Sequence, residues 1–169
     1  VQDGVMESPA PERSLALHVW NDKPFGWAAA TDGPCMAASE RFSITLQGKG
    51  GHGASPYQTK DPVTASAQII TALQTIVSRN VNALESAVIS VTMVNAGDAF
   101  NIVPDSAVLR GTIRTFNPAV RDLVLRRVRE VAEGVGRAMD CEPAVELVST
   151  TPAVVNDSTM SAEVRDLAK

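Results

Sequence analysis

Arg41-Phe42-Ser43-Ile44-Thr45-Leu46-Gln47, followed at once by Gly48-Lys49-Gly50-Gly51-His52-Gly53-Ala54-Ser55-Pro56, is the stretch from which the fold can be read. Phe42, Ile44 and Leu46 alternate with Ser43, Thr45 and Gln47, the period of a strand with one buried face. The glycines that follow permit positive φ and close backbone approach, so this loop can present one side chain, His52, at a surface. A flexible turn with an exposed histidine fits the local pattern as well. Asp61-Pro62 then opens a helix with a capping carboxylate and a proline in its first turn. Its apolar stripe is read as Val63, Ala67, Ile70, Leu73 and Val77, widened by Ile69 and Ile76.

Residues 80–86 break the helical period, and two strands follow at roughly 87–95 and 106–116. In the first, Ile89, Val91 and Met93 alternate with Ser90 and Thr92. In the second, Leu109 and Ile113 share one parity, and Arg110, Thr112 and Arg114 the other. Between them, Gly97, Asp98, Asn101 and Pro104 make a loop of turn formers around Phe100, Ile102 and Val103. Asn117-Pro118 starts a second helix carrying Val120, Val124, Val128, Val131, Val135 and Met139, and Val145 and Leu147 mark a last strand. Each strand has one apolar and one more polar face, as expected when helices cover one side of an antiparallel sheet. The expectation is an α+β, ferredoxin-like βαββαβ sandwich over residues 41–150: a four-stranded antiparallel sheet with two helices on one face.

The flanks do not belong to that unit. Residues 1–12 read as a connector, Ser14–Trp20 as a buried strand with His18 near its end, and 21–40 as irregular with one short strand. Pro152 and Asn156-Asp157-Ser158 suggest a linker, with another helix beginning near Met160. A domain inserted into a second domain gives this layout.

Composition narrows the function classes. The chain has 169 residues, 44% hydrophobic and 20% charged, with a net charge of −4. The one basic cluster, Arg126-Arg127 and Arg129, lies on a helix beside Glu130 and Glu133, so nucleic-acid binding is disfavoured. No apolar run approaches the ~20 residues that span a bilayer. Cys35 and Cys141 form no CxxC pair, and no Gly-Lys-Ser/Thr follows the glycine loop at Walker A spacing. Cys35 is expected to be an inert buried thiol. The start, Val1-Gln2-Asp3-Gly4, is neither an initiator methionine nor a signal peptide, so a cytoplasmic piece of a longer protein is expected.

Six segments in order carry a resemblance: Ala16–Val19, Met36–Ser39, Gly48–Pro56, Ser78-Arg79, Asn101–Asp105 and Gly111–Phe116. Together they resemble the M20 metallopeptidase family, in the amidohydrolase branch of hippurate hydrolases, N-acyl-amino-acid hydrolases and auxin-conjugate hydrolases. The resemblance implies a catalytic domain holding two divalent metal ions (zinc, manganese or cobalt) and an inserted lid that makes a homodimer. Residues 1–40 would end the first catalytic segment, 41–150 form the lid, and 151–169 lead back. The substrate would be a small N-acyl amino acid, its amide attacked by a metal-bound water.

By the same resemblance His18 is a metal ligand, and His52 stabilises the oxyanion in the partner subunit's active site. Asn101 contacts substrate, and Arg114 binds its α-carboxylate, a task suited to a planar fork of donors. Locally, each has a plainer reading: Asn101 as a turn cap, Arg114 as a solvated neighbour of Arg110, His18 as a satisfied histidine. The family's Cys-Gly-His-Asp-x-His motif, paired glutamates and C-terminal metal histidine are absent, so the chain alone is expected to be inactive. The alternative is a stand-alone, dimeric ferredoxin-like module that binds a ligand or regulates.

Overall fold

A computed structural model describes Gly4 and residues 6–168. In chain order it contains β1 (Gly33–Met36), β2 (Ala38–Gln47), β3 (Gly51–His52), a 3-10 turn (Pro56–Gln58), α1 (Pro62–Asn80) and β4 (Ala87–Ala96). There follow β5 (Ile102–Val103), β6 (Ser106–Thr115), α2 (Pro118–Ala138), β7 (Glu142–Thr151), β8 (Val154–Asn156) and α3 (Ser158–Leu167). The βαββαβ unit is therefore β2-α1-β4-β6-α2-β7, and its antiparallel sheet has the order β4-β6-β2-β7. That is the ferredoxin-like plan.

The central strands β2 and β6 supply the floor of the core. Phe42, Ile44, Leu46, Leu109 and Ile113 are buried under α1 and α2. Gly111 sits opposite Phe42, where an added Cβ would stand 2.3 Å from the ring and 2.1 Å from the Ser90 carbonyl oxygen. The missing side chain is what leaves room for the phenyl ring in the core.

Asp61 starts α1 as the sequence implies. Its Oδ1 accepts from the Val63 and Thr64 amides at 2.8 and 3.2 Å, and Oδ2 from the Thr64 hydroxyl at 2.7 Å. Burial alone would raise this carboxyl's pKa, but the bonds from Thr64 and Val63 hold it below the ordinary value. Replacing Asp61 with alanine is expected to cost about 1 kcal/mol. A depressed carboxylate pKa contributes stability above the unfolded value, roughly pH 4, and loses it as pH falls through the folded value. Urea midpoints of wild type and Asp61→Ala should therefore differ at pH 7 and converge in acid.

The buried stripe of α1 is rotated from the expected one. Ala65, Ser66, Ile69, Leu73 and Ile76 face the core, whereas Val63 and Ala67 face out. The small Ala65 and Ser66 let the helix approach closely, and the Ser66 hydroxyl is satisfied by the Pro62 carbonyl at 2.7 Å. In α2 the line is Val120, Val124, Val128, Ala132 and Gly136, with Val131, Val135 and Met139 flanking. The expected alternation of β4 also fails at one end. Its register against β6 slips between Val91 and Met93. One extra residue switches parity, so Met93 lies opposite Arg110, 48% exposed, instead of continuing the Ile89–Val91 face.

The flanks differ most. Ser14–Trp20 is not a buried strand: it pairs with nothing among the described residues, and Leu17 is 90% exposed. An apolar run of this kind is buried only when a sheet covers both its faces, and no described strand lies beside it. Residues 154–156, expected as linker, form β8 and pair with β1. α3 is capped by Asp157, whose Oδ1 accepts from the Met160 amide at 2.9 Å. Arg165 ties it back to Asp32 at 2.8 Å. The chain thus enters and leaves the four-stranded unit side by side. Among the described residues no helix is long and apolar enough to cross a membrane.

Candidate functional site

The Gly48–Gly53 loop is pinned at every step, so the flexible-turn reading does not hold. Gly48 N–H donates to the Asp105 carbonyl at 2.8 Å, and Lys49 and Lys60 exchange two backbone bonds of 2.9 Å. Gly50 N–H donates to Asp105 Oδ1 at 2.8 Å. β3 then pairs with β5, placing Gly51 opposite Val103 and His52 opposite Ile102. Gly53 N–H closes the ladder on the Asn101 carbonyl at 2.8 Å. The glycines are needed for close approach: a Cβ on Gly48 would stand 2.2 Å from the Lys60 oxygen, and one on Gly50 2.6 Å from the Val103 oxygen.

On this scaffold His52 is exposed. The Ala54 amide lies 3.1 Å from its Nδ1. An amide N–H can only donate, so Nδ1 is the acceptor and the proton of the neutral ring sits on Nε2. Among the described residues Nε2–H has no partner, which leaves a positioned donor facing outward. Asn101, one residue past the His52–Ile102 pair, is exposed at the same place. An open groove of about 670 Å³ runs beside this cluster, walled by Gly50, Gly51, Ala96, Gly97, Val103 and Pro104 among others.

Arg114 lies elsewhere. It occupies the face of β6 that no helix covers, paired with Ser39 on one side and Val88 on the other. Its Nη1 donates to the Ile113 carbonyl at 2.9 Å and to the Thr112 hydroxyl. Its Nε and Nη2 are open among the described residues. The eight strand steps from Ser106 to Arg114 set it about 26 Å from the end where His52 sits. The structure brings His52 and Asn101 together and leaves Arg114 at the opposite end of the same sheet.

The peptidase dimerisation domain of the M20 peptidases matches residues 39–140. This chain belongs to the M20 peptidase family. An N-acetyl-L-cysteine deacetylase of Bacillus subtilis is 39% identical over 168 residues, 99% of this chain and 40% of the relative. A hippurate hydrolase of Campylobacter jejuni is 36% identical over 172 residues, 100% of this chain and 44% of the relative. The chain spans about 40% of the length of the curated relatives it matches. Among solved structures, the Bacillus subtilis YXEP protein, a dinuclear metal binding peptidase from the M20 family, superposes with a TM-score of 0.66 at 33% identity. It is matched over 89% of this chain and 36% of its own. A hydantoinase/carbamoylase family amidase from Burkholderia ambifaria shares the fold, with a TM-score of 0.70 at 21% identity over 83% of this chain and 34% of its own.

Against that family the described residues of this M20 chain do not make a metal centre. No group of three or more His, Cys, Asp or Glu side chains among them could hold an ion. His18 stands alone, exposed, its ring tilted against Trp20 at 5.2 Å. Its Nδ1 lies 2.7 Å from the Val19 carbonyl. A carbonyl can only accept, so Nδ1 carries the proton and Nε2 keeps a lone pair. His18 and His52 thus hold opposite tautomers: one offers an acceptor at Nε2, the other a donor.

Sequence reasoning missed two groups in this M20 domain. Asp105, quoted only as the end of a motif, clamps the glycine loop through both its side chain and its carbonyl. Glu40, 1% exposed, receives Arg121 Nε at 2.5 Å through Oε1. The hydrogen bond that Arg121 donates to Glu40, which outweighs the burial of Arg121, raises the guanidinium pKa further. Arg121 also reaches the Ser149 hydroxyl on β7. Among the described residues Glu40 Oε2 and Thr115 Oγ1 have no partner. Of the cysteines, Cys35 is half-buried, not buried, while Cys141 is the enclosed one, and burial pushes its thiol pKa up.

Proposed function

We propose that this chain is the lid of an M20 amidohydrolase that cleaves the amide bond of an N-acyl amino acid, and that two copies join through their β4 edges. The observation that carries the reading is the separation of the site residues. His52 and Asn101 are built rigidly into one end of the sheet and Arg114 into the other, about 26 Å away. They can serve one small substrate only if a second copy reverses the sheet.

The edge strands favour that arrangement. β4 carries no charge and no proline along ten residues, and Val88, Met93 and Val94 are exposed on it. The opposite edge, β7, bears Glu142, Pro143 and Glu146, which blunt pairing. α1, which lies over β4 and β6, has Arg79 as its only ionisable side chain. α2, over β7, is laced with ion pairs such as Arg126–Glu130 and Arg137–Glu133. Antiparallel pairing of β4 about a two-fold axis sets the Val88 end, beside Arg114, against the partner's Ala96 end, beside its Asn101 loop.

The residue roles follow from their chemistry. Nε2–H of His52 donates to the oxygen that becomes negative as the amide carbonyl is attacked. The exposed amide of Asn101 orients the substrate. The open Nε–Nη2 edge of Arg114 fits a carboxylate in bidentate fashion. His18 would supply one imidazole to a metal whose other ligands the described residues do not contain. The names of the deacetylase and hippurate hydrolase relatives, each acting on an acylated amino acid, support the substrate class.

The test uses the complete enzyme. Arg114→Ala should raise KM about 10- to 100-fold for N-acyl amino acids with a free carboxylate, the loss of a charge-assisted hydrogen bond. Substrates amidated at that carboxylate should be unaffected. Equal losses on both would contradict the assignment.

A further inference from the structure

Leu84 is 95% exposed, yet it is not on a loose loop. Its own amide donates to Asn82 Oδ1 at 3.0 Å, and the Glu85 amide donates to the Asn82 carbonyl at 2.9 Å. Glu85 Oε1 accepts from Asn117 Nδ2 at 2.9 Å, which ties the turn to the N-terminus of α2. The turn holds a leucine out into solvent three residues before β4 begins. A turn whose backbone is already fixed presents its apolar side chain without a further cost of ordering the chain on binding, a condition of an interface anchor.

The other end of the same strand has the complementary shape. The groove beside the His52 loop starts at Asn95 and Ala96, the last residues of β4, and runs past Gly97 and Asp98 to Ile102 and Pro104. Ala96, Ile102, Val103 and Pro104 give it apolar lining, beside the polar Asn95, Asp98, Asp105 and Ser106. A two-fold axis across paired β4 strands places the start of one strand beside the end of the other. A knob at one end and a groove at the other then match twice, which is what a self-complementary interface requires.

We propose that Leu84 of each protomer seats in the groove formed by Ala96–Asp98 and Pro104 of a second copy. This rests on the β4-edge dimer proposed above and goes beyond it by naming the anchor and its seat. It also has a consequence for the site. The groove wall is β5 with its flanks, the strand that pairs with His52 and follows Asn101. The leucine therefore buttresses the element that presents both residues, and dimer assembly would brace the donor loop.

The experiment uses the 169-residue chain with Cys35→Ser, so that the remaining cysteine, Cys141, is buried. The double variant Leu84→Cys/Asp98→Cys should give covalent dimers with a short bis-maleimide, whereas neither single variant should. Leu84→Asp, a change at an exposed position that leaves the fold intact, should raise the dimer dissociation constant at least 30-fold in sedimentation, about 2 kcal/mol. If the chain is dimeric, gives no 84–98 cross-link, and Leu84→Asp dimerises as wild type does, this seat is overturned while the β4-edge reading stands. A monomer at high concentration overturns both.

Discussion

Replacing His52 with alanine in the complete enzyme should lower kcat by about 100- to 1000-fold, the effect of removing one oxyanion donor. Three features of the structure make this a clean expectation. The side chain is exposed, so its loss opens no cavity. The loop is held by backbone bonds from Gly48, Lys49, Gly50 and Gly53 and does not depend on the imidazole. The bond from Ala54 to Nδ1 fixes the proton on Nε2, so the ring acts as a donor of defined direction. KM, metal content and dimer mass should therefore hold while kcat falls. Loss of metal in parallel with activity would make His52 a ligand; a lost dimer would make it a structural contact.

The largest effect on stability is expected at Arg121. Its guanidinium joins three elements: Glu40 on β2, Ser149 on β7, and its own helix α2. Arg121→Met leaves the carboxylate of Glu40 buried without a counter-charge and should cost about 3–5 kcal/mol. The reciprocal change is not equivalent. Glu40→Gln keeps an oxygen for Arg121 and places an amide donor where Glu40 Oε2 now has no partner. Thr115 Oγ1, also buried and without a partner among the described residues, lies on the same face of the neighbouring strand, two residues along from the one opposite Glu40. Glu40→Gln should thus stay within about 1 kcal/mol of wild type. Urea unfolding of the two variants measures the asymmetry; equal losses would mean that the ion pair does not hold this joint.

How much of this was legible in the sequence depends on the range of the interaction. β2 and β6 could be read because alternation is a local property, and their partners bury the expected parity. The α1 stripe was read one step off because large apolar residues were counted, while Ala65 and Ser66, small enough to let the helix approach, in fact face the core. The Met93 flip came from a bulge, which changes nothing in the residue pattern before it. β8 was invisible because three residues carry no period and its partner β1 lies some 120 positions earlier.

Within the candidate site, the glycines announced close approach, but not to what. The Lys60 and Val103 carbonyls that require it come from distant segments. Glu40 could have been found: it shares parity with Phe42, Ile44 and Leu46, and an acid on a buried face calls for a cation. The exposed Leu17 and Val19 read as core and are not covered by any described residue. The distance between Arg114 and His52 was not read from the sequence, although the strand at 106–116 that separates them was; what was missing was the pairing of β3 with β5 that fixes His52 at one end.

That distance is the basis of the central claim, that each site takes Arg114 from one protomer and His52 from the other. The direct test mixes two impaired variants of the complete enzyme, His52→Ala and Arg114→Ala, by joint unfolding and refolding, and assays them with substrate well below the wild-type KM. In a heterodimer one site would carry both lesions and the other none. Random assortment should then restore about a quarter of wild-type activity, half of the dimers with half of their sites intact. If both residues instead act within one protomer, every site keeps one lesion, and the mixture will show no more than the average of the two variants.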